Sequence, residues 1–161
     1  MIVHRRYLVV SAILLTLGAT SAAEANPFGL RLGITDDPDS IFLGLVWEAP
    51  ITRGRSGSFV VEPGLDVGIG DEGNAEYFTI SASAHFKYLI PVGGHGSYAY
   101  PLFGPMLFYY NISDCDGDAC DEIEAGVNIG GGFRFDRYEI DLWLAITDDI
   151  PDIAFAFTFR L

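Results

Sequence analysis

Ser83 and His85 stand two residues apart in a segment where every second residue is polar, and Glu62 and Asp66 lie in the segment before it. Serine, histidine and a carboxylate are the parts of a hydrolytic triad, which requires Ser and His within hydrogen-bond reach. Positions i and i+2 on a strand are roughly 6–7 Å apart, too far for proton transfer without distortion. Hydrolytic chemistry is therefore not expected, and neither is any other enzymatic activity. A second constellation is Asp114-Cys-Asp-Gly-Asp-Ala-Cys-Asp-Glu122. Asp114, Asp116 and Asp118 match the start of a calcium-binding EF-hand loop. The match then fails, because Ala119 occupies the sharp-turn glycine position and Ala125 the position of the bidentate glutamate. With Asp121, these carboxylates have the ligands to hold Ca²⁺ or Mg²⁺ weakly; the plainer reading is a solvated acidic loop. No other cofactor is expected.

Cys115 and Cys120 are the only cysteines. In an oxidising compartment such a pair is expected to form a disulfide stiffening one loop tip, the alternative being two free thiols. A third group is dispersed along the chain: Arg31, Lys87, Arg134 and Arg160, with Glu48, Glu62, Asp66, Glu124, Glu139 and Asp141. Each of these, like His85, falls on the polar side of an alternating segment. If those sides face a closed interior, the charges must pair or carry a heavy desolvation cost. Two readings follow: a structural plug of ion pairs, or a narrow path that leans toward cations because the acids outnumber the bases.

The elements that must position these residues are strands. Eight segments alternate apolar and polar residues, at about 27–35, 40–49, 58–69, 77–90, 98–110, 123–135, 138–147 and 153–161, broken by Gly, Pro, Asp and Asn. The last is the plainest: Ile153, Phe155, Phe157, Phe159 and Leu161 alternate with Ala154, Ala156, Thr158 and Arg160. The fifth is ambiguous, because Pro101 and Pro105 share an expected inner face with Phe103 and Leu107, and proline removes a ladder donor. Eight strands enclose an interior only wide enough for side chains to fill. Small residues with paired charges fit that space better than Phe and Leu from every strand. The arrangement is thus expected to be an all-β, eight-stranded antiparallel up-and-down transmembrane barrel, bulky apolar residues outward. The alternative is a soluble lipocalin-like binding barrel.

Composition agrees. The chain has 161 residues, suited to one domain, with 50% hydrophobic and 19% charged residues and a net charge of −13 that argues against nucleic acid as a partner. Residues 1–25 read as a cleaved secretory signal: Arg5 and Arg6, an apolar run from Leu8 to Leu17, then Ala23-Glu24-Ala25 before a barrel over 26–161. Charge also sorts by connection. Those at 36–39, 70–76, 111–122 and 148–152 carry acids and no Lys or Arg, whereas 50–57, 91–97 and 136–137 hold Arg53, Arg55, His95 and Arg137 with Asp136 as their one acid. The acidic set is expected to face the cell exterior. Trp47, Phe59, Tyr88, Tyr98, Tyr100, Tyr138 and Phe159 are expected at one membrane interface, and Phe78, Phe108 and Tyr110 at the other.

On these residues the chain resembles the small outer-membrane barrels of the OmpA, OmpX and opacity-protein type, over essentially all of 26–161. The resemblance implies residence in the outer membrane of a Gram-negative bacterium, with lipid and lipopolysaccharide as surroundings and no periplasmic domain. It implies assembly by the machinery that reads a final aromatic strand (here Phe155, Phe157 and Phe159, although the last residue is Leu161). A monomer with a structural or surface-interaction role in the cell envelope is expected, the alternative being a small cation-leaning channel.

Overall fold

The computed structural model describes residues 27–36, 39–54, 56–72, 75–93, 96–112, 121–147 and 151–161. The expected leader, the Cys115–Cys120 pair and Asp114, Asp116 and Asp118 lie outside the described residues, so the expectations attached to them are not addressed by this structure; Asp121 is described, at the exposed start of a strand. Nine strands are present among the described residues: β1 (Phe28–Asp36), β2 (Asp39–Trp47), β3 (Ala49–Arg53), β4 (Ser58–Glu72), β5 (Ala75–Pro91), β6 (Ser97–Ile112), β7 (Asp121–Phe135), β8 (Tyr138–Ile146) and β9 (Pro151–Arg160). They follow the ring order β2-β1-β9-β8-β7-β6-β5-β4-β3, closed by pairing of β2 with β4. Every pairing is antiparallel. Since β2 and β3 both lie along β4, they form one interrupted strand, and the sheet is an eight-position closed barrel. Closure leaves no continuous sheet edge unpaired.

The interruption corrects one expectation. The segment 50–57 was expected to be a connection, yet Ala49–Arg53 continues as strand on β4 after a break at Glu48, with a register irregularity between Pro50 and Thr52. Pro50 is tolerated because β3 pairs with β4 alone, so its missing N–H interrupts no second ladder.

Side-chain burial shows which face is which. β8 reads Tyr138 out, Glu139 in, Ile140 out, Asp141 in, and so on through Ile146. Leu32, Leu43, Leu142 and Phe155 are 53%, 60%, 55% and 45% exposed, while Arg31, Glu62, His85, Lys87, Glu139 and Asp141 are fully buried. A soluble lipocalin-like barrel would show the reverse. The outer surface is a continuous apolar belt far larger than the patches soluble monomers tolerate. Phe59, Phe86 and Phe103 stack across β4, β5 and β6 within it, with centroids 6.1 and 5.4 Å apart.

β6 is the strand whose faces were misjudged. Pro101, Phe103 and Pro105 point outward, whereas Tyr100, Leu102 and Gly104 are buried inside. Tyr100 is therefore not an interfacial residue, Tyr98 packs against the interior cluster, and Phe108 lines an interior cavity. Both faces of β6 are apolar, so alternation carries no polarity signal there. The prolines do interrupt pairing: the β5–β6 ladder runs to Ser83↔Met106, resumes at Phe86↔Phe103, and breaks again between Lys87↔Leu102 and Ile90↔Ala99. The β6–β7 ladder is unbroken, as expected if both donor-less nitrogens face β5. Gly104 admits β5 at this point, since a Cβ there would come within 1.8 Å of the Ala84 carbonyl oxygen.

The belt generates a test. Leu43 sits near mid-strand, paired with Leu32 and Val67. In lipid vesicles Leu43→Arg is expected to lower the folding free energy by about 2–4 kcal/mol, the cost of arginine on a lipid face near the bilayer centre. Urea titration of vesicle-folded protein measures this. Thr52→Arg, on an exposed strand end, is expected to cost well under half as much.

Candidate functional site

The interior is built by inward positions of every strand, and glycine makes room for the longest side chains. Gly44 lies opposite Asp66, and a Cβ at Gly44 would fall 1.9 Å from Asp66 Oδ1. Gly130 accommodates Trp143 in the same way, a Cβ there approaching the Trp143 Cα to 2.6 Å. Small residues on one strand thus admit large or charged ones from the next, and the lumen fills rather than forming an open tube.

At its centre lies a connected set of ion pairs. Glu62 accepts from Arg31 Nη2 at 2.7 Å, from Lys87 Nζ at 2.8 Å and from Arg160 Nη2. Glu139 accepts from Lys87 at 2.9 Å, from Arg160 Nε at 2.7 Å and from Arg134. Arg134 also pairs with Glu48, which lies 3.4 Å from Arg160. Asp66 receives Arg31 Nη1 at 3.2 Å, and Asp141 lies 3.6 Å from Lys87. Glu48 comes from the break between β2 and β3, and the other members come from strands β1, β4, β5, β7, β8 and β9. The network therefore ties the barrel wall together across its own axis.

Most of the expected lumen residues are brought together: Arg31, Glu48, Glu62, Asp66, Lys87, Arg134, Glu139, Asp141 and Arg160 all join the network. Glu124 does not. It points inward but lies half-buried toward the outer end of β7, and no ion pair links it to the centre among the described residues. His85 is buried beside the network, its Nε2 2.8 Å from Asn128 Nδ2 and its ring edge-on to Trp143. Ser83 Oγ has no hydrogen-bond partner, so serine and histidine are not coupled as a nucleophile and base would be. Three carboxylates, Glu48, Glu62 and Glu139, approach one another closely enough to suggest a metal site. Arg160 contacts all three, and a guanidinium supplies there the positive charge a metal would.

Sequence reasoning missed the neutral members. The Tyr100 hydroxyl lies 2.7 Å from Asp141 Oδ1 and 3.2 Å from Glu139 Oε2, and its ring lies 4.8 Å from the Lys87 ammonium. Trp143 lies under the Arg31 guanidinium at 5.7 Å. Reading β6 from Pro101 and Pro105 as outward residues would have exposed Tyr100 as an interior one.

Removing a hub of such a network strands its partners. Glu62→Gln leaves Arg31, Lys87 and Arg160 short of a common counter-ion, and a loss of about 3–5 kcal/mol in unfolding free energy is expected. Glu124→Gln, outside the network, is expected to change it by less than about 1 kcal/mol. Urea unfolding followed by tryptophan fluorescence distinguishes the two; equal effects would mean that the network does not hold the lumen closed.

No family model matches the chain, and no curated protein matches it. Among solved structures, the chain is similar to the outer membrane enzyme PagL, with 12% identity and a TM-score of 0.58, covering 83% of this chain and 99% of that one. It is also similar to the N-terminal β-barrel domain of Pseudomonas aeruginosa OprF, with 15% identity, a TM-score of 0.53 and coverage of 85% and 98%. A third is Ail, the attachment invasion locus protein of Yersinia pestis, with 13% identity, a TM-score of 0.50 and coverage of 83% and 95%; Ail has also been solved with the heparin analogue sucrose octasulfate. At such identities the likeness is one of fold, and this chain has the closed eight-stranded architecture of the small outer-membrane barrels.

Proposed function

We propose that the protein is a non-enzymatic barrel of the Gram-negative outer membrane, exported by its N-terminal leader, with a structural or surface-interaction role. Its apolar belt suits contact with lipid and lipopolysaccharide. The final strand β9 is the element an assembly machinery would read, and a monomer satisfies every barrel pairing. One observation carries this reading: Arg31, Glu62, Lys87, Glu139 and Asp141 are fully buried and mutually paired across the lumen, so the centre is a plug rather than a conduit.

The rim formed by the β1–β2, β4–β5, β6–β7 and β8–β9 ends is the natural interaction surface. Asp36, Asp39, Glu76, Asp121, Glu122 and Asp152 lie there, with no Lys or Arg among the described residues. Asp36 and Asp152 bind β9 and β1 across their ends: Ile153 N donates to Asp36 Oδ1 at 2.7 Å and Asp36 N to Asp152 Oδ1 at 3.2 Å. A side-chain hydrogen bond with Asp152, and after it the bond from Ile153 N, favours the charged carboxylate and holds Asp36 below its usual pKa. An acidic rim facing outward suits cations or basic surfaces, and it repels polyanions of the kind found bound to Ail.

A small cation-leaning channel is the second reading: a cavity of about 450 Å³ at the opposite mouth leaves the ion-pair layer as the main barrier, and the lean toward cations rests on the acidic outer rim, since Arg53, Arg134, Arg137 and Arg160 outnumber Glu48 and Asp136 around that mouth. Planar-bilayer recording separates the two. No steady conductance above the lipid baseline is expected for the native chain. Steady cation currents that change on Glu62→Gln would favour the channel instead.

A further inference from the structure

A groove of about 710 Å³ lies on the outer surface of the wall, just below the acidic rim. Its floor is a row of outward residues on four neighbouring strands: Ile34 on β1, Ile41 on β2, Ile69 on β4 and Phe78 on β5, joined in one register line. All four are exposed, and Ile69 is 68% exposed, so the floor is open. The line ends at Asn111, the register partner of Phe78 on β6, which gives the apolar seat a defined length. Asp39 and Glu76 form the upper edge. Each stands two residues beyond its neighbour on the floor, Ile41 or Phe78, on the same face of its strand and roughly 7 Å further out. β4 alone separates β2 from β5 there, which sets the two carboxylate positions about 10 Å apart. That intervening strand carries Asp71, the register partner of Glu76.

An apolar floor under an acidic edge selects its occupant by charge. Lipid chains cover the floor but bring phosphate against the carboxylates. Dissolved cations answer the carboxylates but leave the floor uncovered. Acids on neighbouring strands also repel one another, and the chain has no cation of its own to set between them. Of its nine Lys and Arg, Arg31, Lys87, Arg134 and Arg160 belong to the lumen network. Arg53, Arg55 and Arg137 belong to the connections of the opposite side, and Arg5 and Arg6 to the expected leader. The positive charge that complements this edge therefore comes from a second molecule, and the floor makes that molecule amphipathic.

We propose that this groove docks a basic amphipathic helix lying in the plane of the outer membrane surface, its apolar side on Ile34, Ile41, Ile69 and Phe78 and two of its basic residues on Asp39 and Glu76. The inference deepens the surface-interaction role and rests on it. A helix rises about 1.5 Å per residue, so positions i and i+7, which share a face, lie about 10.5 Å apart. That matches the separation of the two carboxylate positions. The four-strand floor is about 14 Å wide, the length of about ten helical residues. A helix body about 10 Å across spans the roughly 7 Å between the apolar row and the acidic one. Helices of this kind rest with their apolar face about 5–10 Å deep, at the boundary of head groups and acyl chains. On this wall that boundary is where Asp39 and Glu76 give way to Ile41 and Phe78.

The probe is a fluorescent synthetic helix of about fourteen leucine and lysine residues, titrated by anisotropy into phosphatidylcholine nanodiscs with and without the protein purified from outer membranes. Binding is expected to be severalfold tighter to the protein-bearing discs, and a leucine–glutamate helix of the same length is expected to show no such gain. Asp39→Asn with Glu76→Gln is expected to weaken binding about fivefold, the worth of two exposed ion pairs. Ile41→Ser, which keeps both carboxylates, is expected to weaken it severalfold as well. Asp121→Asn with Glu122→Gln removes rim charge away from the groove and is expected to leave binding unchanged. Equal binding to empty discs would overturn the proposal. So would an equal loss in the Asp121 and Glu122 variant, which would mean that charge alone attracts the helix, or no loss in Ile41→Ser. Lipid phosphate retained by the protein, or a doubled mass by light scattering, with no helix bound would give the groove to lipid or to a second copy and overturn it too. A chain missing from the outer membrane, with no change of gel mobility on boiling, would instead sink the barrel reading beneath it.

Discussion

Pairing of charge inside a closed wall is the constraint on which the rest of this molecule depends. Once eight strand positions close on one another, inward side chains have no bulk water to turn to. A charge there must find an opposite charge or an oriented dipole. Glu62 and Glu139 meet this demand by each serving three cations drawn from different strands. Each bridge also fixes the separation of the two walls it joins. The network is therefore both the filling of the lumen and a brace across it.

The outer face follows from the same closure. Alternation sends every second residue outward, so a wall that places Glu139 and Asp141 inside must place Tyr138, Ile140 and Leu142 outside. An exterior of exposed Leu, Ile, Val and Phe would aggregate in water and is stable only against an apolar phase. Glycine joins the two faces. At Gly44 it gives Asp66 room inside, and at Gly104 it lets β5 and β6 approach beside prolines that weaken their ladder. The barrel thus tolerates imperfect pairing on β6, because the other flank of that strand is fully bonded to β7.

Proteins with 12–15% identity to this chain share its architecture and differ in kind: an enzyme, a domain of a larger protein, an attachment protein. Alternation, length and closure suffice to specify the wall and leave the residues at the rims and in the lumen free to vary. Activity in such a scaffold resides in those variable positions. Here they are an acidic rim and a buried network of ion pairs.

Strand number, the sense of inside and outside, and nearly all charged lumen residues were legible in the sequence, because a strand's period of two writes its polarity directly into residue order. Arg31, Lys87, Glu139 and Arg160 could be assigned inward from their neighbours alone. Three features were decided by tertiary structure. β6 has two apolar faces, so only its position between β5 and β7 sends Pro101 and Phe103 to the exterior and Tyr100 to Asp141. β3 forms beyond Pro50 because β4 is long enough to receive it. Which carboxylates become the hubs of the network depends on which strands face each other across the axis, a relation between residues as distant as Arg160 and Glu62 that no local pattern encodes.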